Sequence, residues 1–94
     1  MRTTIISDST QPSLAKGVRL QFDSTARKSV LVYPEGIVEL NETAQEILSR
    51  CDGRTVGQIV CELAEDYEVD SNALAADVRE TLSDLQRRKL IEFQ

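Results

Sequence analysis

The sequence predicts an α+β domain over residues 15–94, a three-stranded antiparallel β-meander followed by three α-helices. Three observations carry this. Between Gly17 and Glu39, short stretches of alternating or β-branched residues are separated by turn residues. Beyond Leu40 the apolar residues recur at helical spacing. Each helical stretch opens on a residue able to cap a helix.

Residues 1–14 are rich in Ser and Thr, show no period, and read as a flexible N-terminal arm. Gly17-Val18-Arg19-Leu20-Gln21-Phe22 alternates apolar and polar residues, as a half-buried strand does, and Asp23-Ser24-Thr25 supplies a turn. Ser29 to Tyr33 is a β-branched second strand stopped by Pro34. After Glu35-Gly36, Ile37-Val38-Glu39 forms a third, very short strand.

Leu40, Ala44, Ile47, Leu48 and Cys51 share one helical face, with Asn41 as N-cap and Asp52-Gly53 as the stop, Gly53 taking the left-handed position. Thr55-Val56-Gly57-Gln58 has the form of a capping box. It opens a helix whose apolar face is Ile59, Val60, Leu63, Ala64 and Tyr67. Asp70 or Ser71 caps the third helix, striped by Leu74, Val78, Leu82 and Leu85 and running to about Arg88. Leu90 to Phe93 is an apolar tail expected to pack back as a short strand. The order β-β-β-α-α-α is winged-helix-like.

Ninety-four residues allow a single domain. The net charge of -5 is unevenly placed: residues 1–40 carry five Lys/Arg against four Asp/Glu, residues 41–94 six against twelve. An acidic helical half repels phosphate backbones and attracts basic peptides. Four aromatic residues, Phe22, Tyr33, Tyr67 and Phe93, are too few for a base-stacking platform. The second and third helices read as a helix-turn-helix, but the third mixes Arg79, Arg87 and Arg88 with Asp77, Glu80 and Asp84, which disfavours nucleic-acid binding.

No catalytic residue and no metal site are expected. The chain has no His, and Cys51 and Cys61 alone do not complete a zinc site. Both cysteines are read on apolar faces, where burial raises a thiol pKa and leaves it inert. Paired carboxylates such as Glu65-Asp66 and Glu42/Glu46 fall on polar faces, without the desolvation that general acid–base chemistry needs. Neither a signal peptide nor an apolar membrane span is visible, so a cytoplasmic protein with reduced cysteines is expected.

What remains is a strand edge. Ile37-Val38-Glu39 runs at once into a helix, and an edge with unpaired amides and carbonyls invites an added strand. Val38→Pro, removing one amide, is expected to cut such binding. Two other arrangements would cover the edge: the chain's own N-terminal arm, or a strand exchanged between copies in a homodimer.

The run PE-x₄-LNETA-x₂-IL-x₂-CDG-x-TV over residues 34–56, with Leu14, Gly17-Val18, Leu20, Val30-Leu31, Ile59, Leu63, Tyr67, Asp77-Val78, Leu82 and Leu85, resembles the PqqD family of pyrroloquinoline quinone (PQQ) biosynthesis. The resemblance implies a precursor-peptide recognition element with no enzymatic activity and no cofactor of its own. Its members bind the ribosomally made precursor PqqA and present it to the radical SAM enzyme PqqE, which joins a Glu and a Tyr side chain of the peptide. Related domains hold a leader peptide as an extra strand between the third strand and the third helix. Carried onto this sequence, the peptide edge is Gly36, Ile37, Val38, Glu39 and Leu40, and the facing helix contributes from Ala75, Val78, Arg79, Leu82 and Gln86. Ser29, Tyr33 and Lys89 depart from the pattern, Lys89 standing where glycine is frequent. Two other functions fit the same order of elements, recognition of a different modified peptide and a winged-helix DNA-binding regulator.

Overall fold

The computed structural model describes residues 6–93. Its elements are β1 (Pro12–Leu14), β2 (Arg19–Asp23), β3 (Lys28–Tyr33), β4 (Gly36–Glu39), α1 (Glu42–Leu48), α2 (Val56–Tyr67), α3 (Ser71–Arg87) and β5 (Ile91–Phe93). β2, β3 and β4 form an antiparallel sheet with β3 at its centre. The expected meander and the three helices that follow it are both present. One face of the sheet packs Leu31 against Ile47, Val56, Ile59, Leu63, Val78 and Leu82, all at most 2% exposed.

Each helix begins where a side chain satisfies amides that have no partner inside the helix. The Asn41 Oδ1 accepts from Ala44 N–H at 2.7 Å, and the Asp70 Oδ1 from Asn72 N–H at 3.3 Å. At α2 the capping box is complete: Thr55 Oγ1 accepts from Gln58 N–H at 3.2 Å, and Gln58 Oε1 accepts from Thr55 N–H at 2.8 Å. α1 is shorter than its apolar spacing predicts. It stops at Leu48, and the Arg50 and Cys51 amides turn back to Ile47 and Leu48 in tight turns. Gly53 does take a positive φ, 116°, but in the connection to α2 and not as the residue closing α1.

The segment read as a flexible arm is, over its described part, built into the fold. Residues 1–5 of that arm lie outside the described residues. Pro12–Leu14 pairs antiparallel with Ile91–Phe93 as a second, two-stranded sheet, and Ser13 also bridges to Asp52. Ile6 is buried in the core and Pro12 is fully enclosed. Upstream of β1 the chain crosses the start of α2. The Thr10 carbonyl accepts from Val56 N–H at 2.8 Å and the Asp8 carbonyl from Gly57 N–H at 2.9 Å. With the capping box, all four leading amides of α2 (Thr55 to Gln58) are thereby satisfied. Gly57 permits this approach, because a Cβ there would stand 3.2 Å from both Asp8 Cβ and the Asp8 carbonyl oxygen. The Asp8 carboxylate meets Arg79 of α3 at 2.8 Å. The strand was invisible to periodicity because three residues, one of them Pro, are too few to display an alternation.

α3 ends in a Schellman motif: Leu90 N–H returns to the Leu85 carbonyl at 3.0 Å and Lys89 N–H to the Gln86 carbonyl at 2.8 Å. Lys89 holds φ 63°, a left-handed conformation that costs a side-chain-bearing residue roughly 1–2 kcal/mol. Glycine relieves that cost but gives back part of it in unfolded-state entropy. Lys89→Gly is expected to raise stability by about 0.5–1 kcal/mol in urea unfolding, with no change in slope.

Candidate functional site: the β4 edge and its cleft

β4 is an edge strand, because the arm pairs with β5 and leaves the outer side of β4 without a strand partner among the described residues. The described part of the arm therefore does not cover this edge. The register decides which groups the edge offers. Tyr33 pairs with Gly36 across the two-residue Pro34-Glu35 turn, and Leu40 N–H donates to the Ser29 carbonyl at 3.0 Å. Hydrogen-bonded pairs alternate in an antiparallel ladder, so Leu31–Val38 is bonded inward as well. The outward amides and carbonyls belong to Ile37 and Glu39. This corrects the expectation for Val38, whose amide is spent within the sheet.

Side chains alternate about the same strand. Val38 and Leu40 are half-buried and join the core-facing side, while Ile37, 65% exposed, and Glu39 stand on the outer face. Beyond the edge, a cleft of about 530 Å³ opens against α1 and α3. Val38, Leu40, Ala44 and Leu85 give it an apolar floor. Its helical wall is Glu80, Thr81, Asp84, Arg87 and Arg88. Asp84 is clasped by both arginines, at 3.1 Å to Arg87 and 3.2 Å to Arg88, so that end keeps a net positive charge. Glu80 has no ion-pair partner among the described residues and leaves the middle of the wall negative.

Of the expected strand residues, Val38, Glu39 and Leu40 line the cleft, while Gly36 and Ile37 belong to the same edge outside it, and the helix residues assigned from the resemblance do not line it. Val78 and Leu82 are 0% exposed and pack the core beneath it. Ala75 and Arg79 lie on the far flank of α3, in a groove of about 730 Å³ shared with Asp8, Gly57 and Cys61. Gln86 is half-buried and absent from the cleft lining. The physical reason is the helical angle: with Val78, Leu82 and Leu85 directed inward, 75, 79 and 86 fall on one flank and 80, 81, 84 and 88 on the other. An apolar stripe says which face is buried but not which flank borders the sheet edge.

The α1–α2 side is held by Arg50, which reaches Glu46 at 2.6 Å, Asp66 at 2.9 Å and Glu62 at 3.2 Å. Its hydrogen bond to Glu46 raises the guanidinium pKa, against some loss from burial. The two cysteines differ, which corrects the reading of Cys61: it is exposed on α2, while Cys51 is half-buried and its Sγ donates to the Ile47 carbonyl at 3.4 Å. Burial, then the charge of Asp52, pushes the Cys51 thiol up to about 12. The thiol's stabilising contribution is therefore intact below the ordinary thiol pKa and lost as pH rises through that window towards 12. Under native conditions at pH 8, a thiol reagent is expected to modify Cys61 rapidly and Cys51 only at the rate of unfolding, as peptide mass mapping would show.

In architecture the chain is a winged-helix-like α+β domain with an open strand edge over a helix-walled cleft. It superposes on the solution NMR structure of the PqqD truncation of Methylobacterium extorquens PqqCD with a TM-score of 0.81 and 37% identity, covering 95% of this chain and 96% of that one. That domain is described as a functional, stand-alone recognition element for ribosomally synthesized and post-translationally modified peptides. The model for coenzyme PQQ synthesis protein D (PqqD) matches residues 28–91, and the chain belongs to the PqqD family. A PqqA binding protein of Xanthomonas oryzae pv. oryzae is 42% identical over 89 residues, 94% of this chain and 97% of that protein. The bifunctional coenzyme PQQ synthesis protein C/D of Methylorubrum extorquens is 38% identical over 95% of this chain, which spans 24% of that larger protein. Among the described residues, no helix is long and apolar enough to cross a membrane.

Proposed function

We propose that this protein is a peptide chaperone of PQQ biosynthesis, which takes up the precursor PqqA as a fourth strand on β4 and presents it to the radical SAM enzyme PqqE. The observation that carries the reading is the β4 edge opening onto an apolar-floored cleft in a PqqD-family chain. The outward amides and carbonyls of Ile37 and Glu39 supply sequence-independent bonds. Val38, Leu40, Ala44 and Leu85 accept the peptide's alternate apolar side chains, and Glu80 favours a basic one. The curated relatives named as PqqA binding proteins support the choice of peptide. The protein's part is recognition; the chemistry belongs to the enzyme it serves. A cytoplasmic setting fits the free thiols of Cys51 and Cys61.

The DNA-binding reading loses support from the ion pairs of α3. Arg79 is engaged by Asp8, and Arg87 and Arg88 share Asp84, so each of these basic residues is already tied to a carboxylate. Calorimetry of the protein with synthetic PqqA should give saturable one-to-one binding that a scrambled peptide lacks. Equal binding of both peptides, or of neither, would refute the proposal.

A further inference from the structure

The α3 flank that walls the cleft continues towards the helix N-terminus. One helical turn before Glu80 and Thr81, about 5 Å along the axis, Asp77 enters a second groove of about 460 Å³ between α1, α2 and α3. Leu63, Leu74, Tyr67 and Val69 give this groove its apolar surface. Tyr67 and Val69 are 43% and 48% exposed, two of the few large apolar residues the fold leaves in water. Glu42, Glu46 and Asp77 are its charged residues, and no Lys or Arg lines it. Glu46 is held by Arg50, whereas Glu42 and Asp77 have no ion-pair partner among the described residues. The negative field is felt locally: partial desolvation, then the charges of Glu46 and Glu42, raise the Tyr67 phenol.

We propose that this groove is a second station for the peptide bound at β4: residues flanking its strand lay an apolar side chain against Tyr67 and Val69 and set a Lys or Arg between Glu42 and Asp77. The inference rests on the peptide reading above and extends it. Charge complementarity selects the occupant: Glu42, which accepts from Tyr67 O–H at 3.4 Å, and Asp77 face no cation among the described residues, and an apolar floor between two such carboxylates suits a cationic, apolar segment and repels an acidic one. Continuity selects its source. The two grooves share one flank of α3, and both reach the start of α1, through Asn41 and Ala44 in the first and Glu42 and Thr43 in the second. A peptide leaving the β4 edge alongside α1 therefore meets the second groove without turning back. Two anchors on one ligand multiply affinity, because the second contact forms at high effective concentration.

The test is calorimetry with full-chain wild type, a Glu42→Gln/Asp77→Asn double variant and Val69→Ser. Each is titrated with synthetic PqqA and with the same peptide carrying Gln for every Lys and Arg. The double variant should bind native PqqA about five- to tenfold more weakly and the neutralised peptide no differently from wild type. Val69→Ser should weaken both peptides about two- to fivefold. Unchanged affinity of the double variant for native PqqA would overturn the second station. So would variants that bind PqqA normally but lose a dimer in sedimentation, which would give the groove to a second copy of the chain. Failure of wild type to bind either peptide would remove the peptide reading and this inference together, distinguishable because all three proteins then fail alike.

Discussion

Ile37→Pro should abolish most PqqA binding while leaving the domain folded, and Val38→Pro should do the reverse damage, unfolding the sheet. The two positions are adjacent, but their amides point in opposite directions. The Ile37 amide faces out from the β4 edge, so proline removes a donor that an added strand needs and places a ring in its path. Binding is expected to weaken tenfold or more, about 1.4 kcal/mol, with an unchanged circular dichroism spectrum. The Val38 amide belongs to the β3 ladder opposite Leu31, which is fully buried. Proline there strands the Leu31 carbonyl, at a cost of about 1–3 kcal/mol before any loss of packing. Thermal unfolding and calorimetry on the pair separate the two effects. Equal loss of binding from two equally folded variants would contradict the assigned edge.

The other large effect is expected from removing residues 1–14. Their described part buries Ile6 and Pro12, pairs with β5, and supplies two of the four acceptors at the start of α2. Burial of an Ile side chain alone is worth about 1.5–3 kcal/mol, and each lost hydrogen bond about 0.5–1.5. The sum is on the order of 5 kcal/mol, comparable with the whole stability of many small domains. The truncated chain should therefore melt more than about 20 °C lower, or not cooperatively at all. Gly57→Val should reproduce part of this loss by pushing Asp8 off the helix. In hydrogen exchange its mark should be faster exchange of the Val56 and Gly57 amides. A truncated protein as stable as the full chain would show that residues 6–14 only lie on a domain complete without them.

What the sequence disclosed follows from where the physics is local. Asn41, Thr55 with Gln58, and Asp70 each act within three residues of themselves, and each helix starts where they place it. The strands from Arg19 to Glu39 carry enough alternation to be seen. Tyr67 and Cys61 were misjudged because a helical face grades into its flanks: both are exposed although they lie within a helix whose other face is buried. β1 depends on a partner far away along the chain, so nothing near Pro12 announces it. The wall of the cleft was illegible for a different reason. Glu80, Thr81, Asp84 and Arg88 look like any solvated helical flank, and only the placement of β4 gives them a site to border.

The β1–β5 pairing also bears on when the protein becomes competent during its synthesis. Pro12 lies opposite Phe93, so the small sheet cannot form while the intervening chain is still being made. Leu90 and Ile91, both buried in the core, arrive with it. Contacts that link such distant residues form late and slow folding. A chain truncated before Leu90 would lack β5 and with it the strand that pairs with β1. The small sheet would then close only after Leu90 to Phe93 have been made, so that completion of the core comes as one late step.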